Sequence, residues 1–365
     1  MRKLIPLMMT AAILFAACGK DGTGSPGPSP SDLAVIHLSV AGSDGPPTKL
    51  SGLEYELHEK PVNHWAWFFF ERSSGSLAAM GTVGGDGKIT KTLRTGVYEV
   101  WVIANYPESV NLASIRTKNN FLALKARLSD NGAGSMLMAG STPDGEPVTL
   151  SNENPEAEIT IHLKRLVSKL TVSSITRRFE SPALGAKPLV LKHIYMTNVY
   201  PETFYARDLK AEELPSRQAF WYNAMGWHHP EGLAADRSTD RFLAERELDR
   251  NLSQNETAEL DLSFYFFPNP LPLQDDSHTP LWSGPRCTRL ILETEFEGHT
   301  YYYQATLPKE EEQTSIGRNM AFQLRCTLTR LGSKDPEQII PGSMEVVFSA
   351  VTGNWQGNYE VNEKS

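Results

Sequence analysis

The chain has 365 residues, 40% of them hydrophobic, and carries 35 basic against 43 acidic side chains for a formal net charge of −8. So acidic a body, without clustered Lys and Arg, is a poor ligand for phosphate backbones, which excludes nucleic acid as its partner. Its three cysteines exclude a disulfide-dense scaffold and make no zinc site by themselves.

The chain opens on MRKLIPLMMTAAILFAAC, with Arg2 and Lys3 ahead of an apolar run from Leu4 to Phe15 and the small pair Ala16-Ala17 before Cys18. The run falls short of the ~20 apolar residues a transmembrane helix needs. It predicts a secretory signal over 1–17 of the lipoprotein kind, with Cys18 acylated as the first residue of the mature chain. Phe15 stands where such signals usually carry Leu. Residues 18–32, rich in Gly, Pro and Ser, predict a flexible tether. No other segment is apolar enough to span a bilayer, so the lipid on Cys18 is the anchor the sequence offers, holding a folded body off a membrane.

Strand signals dominate the rest of the chain. AVIHLSV, WAWFFFE, YEVWVIAN, PVTL and AEITIHL alternate or run apolar over a few residues, with hairpin punctuation at GGDGK, residues 84–88. A helix is predicted between Ser109 and Leu128 from the spacing of Leu112, Ile115, Leu122, Leu124 and Leu128. AEITIHLKRLVSKLTVSSI reads as one strand pattern interrupted by a basic stretch, which puts a domain boundary near Leu166 without a linker. The second half continues with LVLKHIYMTNV, LDLSFYFFPN, TRLILETEF, YYYQATL and FQLRCTLTRL, with a turn at EGHT, residues 297–300. Residues 206–250 are polar with little periodicity and predict a long insertion, with a helix near RFLAERELDR. No short repeat is evident. The pattern as a whole predicts an all-β protein of two β-sandwich domains, 33–166 and 167–342.

The tail, residues 343–365, raises a question of its own. Met344, Val346, Phe348 and Ala350 alternate with Glu345, Val347 and Ser349, the period-two signature of a strand with one buried face. Such a strand needs a partner, either in its own domain or in another molecule.

Catalytic chemistry finds little footing. In HEKPVNH, His58 and His64 are spaced wrongly for a zinc-binding helix, and Pro61 would break it. His228 and His229 fall in the polar insertion. No nucleophile elbow, phosphate-binding loop or dinucleotide fingerprint occurs, so no catalytic, metal or cofactor site is expected. Trp65-Ala66-Trp67 and Tyr301-Tyr302-Tyr303 have the look of carbohydrate platforms, but aromatics in strand runs are more often core. Trp221, Tyr222 and Trp227, in the insertion, are the residues a lipid-anchored surface glycan-binding protein would use. Cys287 and Cys326 each lie in a predicted strand; a disulfide and two buried thiols both remain open.

Taken in order, several of these phrases resemble the fimbrillin family, the FimA/Mfa-like subunits of type V pili. They are the lipoprotein signal and tether, AVIHLSV, VNHWAWFFFERSSGSL, LRTGVYEVWVIANYP, MLMAGST followed by PVTL and the junction phrase, FYFFPNP, IGRNMAFQLRCTLTRLG with its Arg-Asn pair, and the closing MEVVFSAVTGNW. The resemblance covers nearly the whole chain. It implies two transthyretin-like Greek-key β-sandwich domains in tandem and a structural, non-catalytic role in a fimbrium that supports adhesion. It also implies a route: a lipoprotein precursor at the outer membrane loses its N-terminus and first strand to a trypsin-like envelope protease. The vacated groove then takes a donor strand from the tail of the next subunit, here Met344, Val346, Phe348 and Ala350. The family's cut follows an arginine after the first strand. AGSDGPPTKLSG has none, and Lys49 is the nearest basic residue, so another protease, or an uncut anchor or accessory subunit, is the alternative.

Overall fold

The computed structural model describes residues 32–41, 61–85, 87–132, 134–213, 222–223, 233–234, 245–270, 288–307, 316–336 and 338–350. The strands of the first half are β1 (Leu33–Ala41), β2 (His64–Glu71), β3 (Leu77–Gly84), β4 (Ile89–Arg94), β5 (Gly96–Ala104), β6 (Lys125–Arg127), β7 (Met138–Ser141), β8 (Val148–Leu150), β9 (Glu156–His162) and β10 (Lys164–Arg165). Those of the second are β11 (Ser168–Arg177), β12 (Leu189–Thr197), β13 (Glu202–Phe204), β14 (Tyr222–Asn223), β15 (Leu233–Ala234), β16 (Glu245–Leu252), β17 (Thr257–Phe266), β18 (Thr288–Phe296), β19 (His299–Leu307), β20 (Ala321–Leu328) and β21 (Met344–Ala350).

The first half stacks a three-stranded sheet, β4-β1-β9, on a larger one, β10-β7-β5-β2-β3, with β8 also paired to β5. The second half stacks β17-β11-β20-β21 on β16-β12-β18-β19. Strand β2 explains its own composition: Trp65 to Phe70 are all buried, because this strand lies mid-sheet, with the facing sheet on one side and the Phe121 side chain on the other. Of the two expected hairpins, EGHT forms: β18 pairs with β19, and Glu297 and Gly298 both take positive φ (50° and 74°) between them, the backbone a tight two-residue turn requires. GGDGK instead links β3 to β4, which lie in different sheets, so the chain crosses the sandwich there.

The helix expected between Ser109 and Leu128 is present but short: a 3-10 turn at Leu112–Ser114 and α1 (Lys118–Leu122), capped by Thr117, come before β6 takes over. The leucines beyond Leu122 mimic helical spacing, yet Lys125–Arg127 is extended because its backbone pairs with β13. The segment ERELDR of the expected second helix is β16, held by β12; its side chains alternate between half-buried and exposed in strand fashion.

The two halves repeat one topology, although no repeat is visible in the residues. In the first, β1 is flanked by β4 (antiparallel) and β9 (parallel), and β2 by β3 and β5. In the second, β11 is flanked by β17 (antiparallel) and β20 (parallel), and β12 by β16 and β18. The second half then adds one strand, β21, on the outer edge of β20.

The junction has no linker. Strands β9, β10 and β11 follow one another, and one continuous apolar cluster takes residues from both halves. A short ladder crosses between them: β13 pairs with β6, Leu128 N donates to Pro201 O (2.8 Å), and Lys125 meets Glu202 at 2.8 Å.

Candidate functional site: the first and last strands

Strand β1 sits in the middle of its sheet. Ile36 and Leu38 are 0% exposed and Ala34 is buried beside them, so its inward face is core. On the opposite face, His37 lies between the Thr90 hydroxyl (Nδ1, 2.9 Å) and the Glu156 carboxylate (Nε2, 2.8 Å), one from each flanking strand. Ser39 reaches Thr160 of β9. Both neighbours come later in the chain, and β9 begins 119 residues beyond His37. A strand held this way contributes two ladders and a strip of core, yet its withdrawal would leave a preformed groove between β4 and β9.

Strand β21 is bound more lightly. Among the described residues its ladder is to β20, with Val346 opposite Cys326 and Phe348 opposite Leu324. Phe348 is 4% exposed and its ring stacks on Phe322, with centroids 4.9 Å apart and planes 20° apart. Met344 and Val346 are half-buried, and Val347, on the outer face, is 62% exposed. Phe322 pairs with the backbone of Ala350. Met344, Val346 and Phe348 thus lie on the inward face of the tail strand, and in this structure they rest on their own half of the chain. Strands β1 and β21 lie in different sheets.

Other singled-out residues fall into place or outside the described residues. Cys18, Lys49, His58, Cys287, Trp221, Trp227, His228 and His229 are among those not described. Cys326 is buried in β20. His64 donates from Nε2 to the Tyr106 carbonyl (2.8 Å) and lies edge-on to the Tyr106 ring. Trp65 and Trp67 are buried, as core aromatics and not a platform. No group of three or more His, Cys, Asp or Glu is arranged for a metal among the described residues.

In the sequence the Arg-Asn pair is only part of a phrase; the structure gives it a task. The Arg318 guanidinium donates to the Asp208 carboxylate (Nε, 2.6 Å) and to the carbonyls of Tyr205 (2.9 Å) and Phe204 (3.1 Å). Residues 202–204 are the part of β13 that pairs with the first half. Asn319, at φ 57°, accepts from Arg165 N (3.1 Å) and donates its own N–H to Val167 O (2.9 Å). Tyr205 is buried beside this clamp, and burial, with the nearby Asp130 carboxylate, pushes its phenol well above the usual range. The signal that was available is a non-glycine residue at positive φ, for which Asn is favoured, just ahead of a strand. Asn105 (φ 57°), the close of the VIAN phrase, works alike: it accepts from Asn63 N (2.8 Å) and donates to Pro61 O and Met136 O.

Replacing Arg318 with Ala should remove three charge-assisted hydrogen bonds, each worth roughly 1.5–3 kcal/mol at most. The expected outcome is a folded chain whose halves move more freely, seen as a larger radius of gyration in small-angle scattering and faster proteolysis near residues 204–208. An unchanged scattering profile and protease resistance would show that the β6–β13 ladder alone holds the halves.

No protein-family model and no curated protein matches this sequence. Solved structures do. A candidate cell adhesion protein from Bacteroides eggerthii superimposes with a TM-score of 0.63 at 16% identity, covering 88% of this chain and 96% of that one. A fimbrilin (FimA) from Porphyromonas gingivalis gives 0.56 at 11% identity, covering 87% and 96%. The tip fimbrial protein Mfa3 of the same species, with a C-terminal truncation, gives 0.50 at 14%, covering 87% and 99%. The chain therefore has the tandem β-sandwich fold of these fimbrial and adhesion proteins along nearly its whole length.

Proposed function

We propose that this chain is a structural subunit of a cell-surface fimbrium. It is exported as an outer-membrane lipoprotein anchored at Cys18, assembled by donor-strand exchange, and supports adhesion. Its partners are other fimbrial subunits, the outer membrane through the lipid, and an envelope protease acting between β1 and β2, with Lys49 as the candidate cut. The observation that carries the reading is the contrast between the first and last strands. The first sits mid-sheet over a ready groove, and the last is held by one ladder with an alternating apolar row. The shared fold with fimbrial and adhesion structures supports it.

Exchange needs no side-chain chemistry. The incoming strand regains the main-chain hydrogen bonds of the two flanking strands, and its alternate side chains fill the pockets left by Ile36 and Leu38. N-terminal sequencing of the protein taken from the cell surface tests the proposal. The expected result is a new N-terminus between residues 42 and 60, in material that runs as a ladder on unboiled SDS gels. A surface protein that still begins at Cys18 and runs as a single monomer band would overturn it.

A further inference from the structure

Sheet edges are normally guarded against pairing with other chains by Lys, Pro, bulges or covering loops. Most edges of this molecule are. Strand β4 carries Lys91 and Arg94. The pairings that hold β3, β16 and β17 are bulged, with Asp249 and Asp261 at positive φ in the latter two. The edge of β19 is capped by a bridge from Tyr302 to Ser333. Two edges differ. Strands β9 (EAEITIH) and β21 (MEVVFSA) are each seven residues long, regular in register, and free of Lys, Arg and Pro.

The hydrogen-bond phase shows which groups β9 offers. Val35 N donates to Pro155 O (2.7 Å) and Leu163 N to Ala41 O (3.0 Å). In a parallel ladder this turns the backbone of Ala157, Ile159 and Ile161 toward β1, and that of Glu156, Glu158 and Thr160 outward. At the far end the edge closes, since the His162 carbonyl lies so near Gly140 of β7 that a Cβ there would meet it at 2.5 Å. Among the described residues β9 has no ladder on its outer side.

The second half shows what such an edge takes. Matching Ile36 and Leu38 of β1 to Leu170 and Val172 of β11 places Ala157, Ile159 and Ile161 where Phe322, Leu324 and Cys326 stand. On that second edge lies β21, the one strand the first half lacks. Thr329 N donates to Ser343 O (3.0 Å), so the backbone of Glu345, Val347 and Ser349 faces β20. Carried over to β9 in the same phase, β21 keeps its apolar row on the core side. Val347 then falls opposite Thr160 and Ser349 opposite Glu158. The Phe322–Phe348 stack is lost, because Ala157 replaces Phe322, and this keeps the tail on its own half in the isolated chain.

We propose that the outer edge of β9 is a docking site for β21 of a second copy of this chain, used while β1 is still in place. It rests on the fimbrial reading only in taking β21 as a donated strand; the acceptor is a different edge and needs no proteolysis. In this contact each tail reaches a surface other than the one it leaves, so every copy carries both a donor strand and an acceptor edge.

The test uses the full mature chain with residues 33–41 retained. Light scattering after size exclusion should show concentration-dependent association of the parent. Glu158→Pro, which removes an outward N–H but none bonded to β1, should be monomeric at the same concentrations. A mixture of Thr160→Cys and Val347→Cys chains should yield a mixed disulfide dimer under mild oxidation. A parent that stays monomeric, a Glu158→Pro variant that associates as the parent does, or a mixture without the mixed disulfide would each overturn the proposal. After removal of β1, the ladder on unboiled SDS gels should survive Glu158→Pro, since the groove uses Ala157, Ile159 and Ile161. Absence of that ladder in the parent would instead sink the strand-exchange reading and leave the β9 edge standing.

Discussion

Deletion of residues 33–41 is expected to lower the melting temperature of the first half by roughly 15 °C, and a peptide spanning 343–355 should restore most of it. Withdrawing β1 exposes the pockets of Ile36, Leu38 and Ala34, all buried in the intact sheet. The two larger side chains alone are worth about 1.5–3 kcal/mol each, and two ladders of hydrogen bonds go with them. A total on the order of 5 kcal/mol is comparable to the whole stability of many domains, and about 3 °C per kcal/mol is typical at this size. The second half, whose own first strand β11 is covalently continuous with the fold, should melt as before. Calorimetry resolves the two. If the deleted chain melts like the parent, or if the peptide leaves its melting unchanged, β1 is not the strand whose place the tail takes.

Charging the tail is the second large effect. Val346→Glu with Phe348→Glu should abolish the ladder of assembled subunits while the monomer stays folded. In the monomer Phe348 is seated on Phe322 and Val346 is half-buried, so two carboxylates there cost about 3–5 kcal/mol if the strand remains docked. Release of the strand avoids that cost, because β21 is an edge strand and β17-β11-β20 remains a sheet without it. The far-ultraviolet spectrum should keep its strand signature, with melting lowered by only a few degrees. In a groove between β4 and β9 the same carboxylates would be enclosed on both sides and could not escape. Variants that unfold outright, or that still assemble, would show that the tail is only the final strand of its own sheet.

Much of this was legible in the residues because strands declare themselves by local alternation. β1, β9, β18 and β20 appear almost where the period-two pattern puts them, and the uniformly apolar WAWFFFE is a strand buried on both faces. The overlong helix and the false one come from the same local reasoning. Leu124 and Leu128 sit at helical spacing, but Lys125–Arg127 is drawn into a ladder with β13, which is remote in sequence. ERELDR favours helix by composition, yet its backbone completes the edge of a sheet. What no local pattern carries is pairing. The central place of β1, the duplicated topology and the docking of β21 on β20 all depend on partners far away in the chain. For Arg318 the phrase is visible but its purpose is not, because the carbonyls it binds belong to a crossover more than a hundred residues earlier.

The parallel pairing of β1 with β9 has a consequence for the order in which the molecule forms. Closing a loop of 119 residues has a steep entropic cost before any contact rewards it, and parallel non-local pairings are slow for that reason. Strand β1 is made first but has no complete seat until β4 and β9 are both in place, so its docking completes the three-stranded sheet that faces the sheet of β2, β3, β5 and β7. In the proposed exchange, the first step is that docking motion run in the opposite direction. A chain with this contact order reaches its docked state late, and leaves it without first dismantling its core.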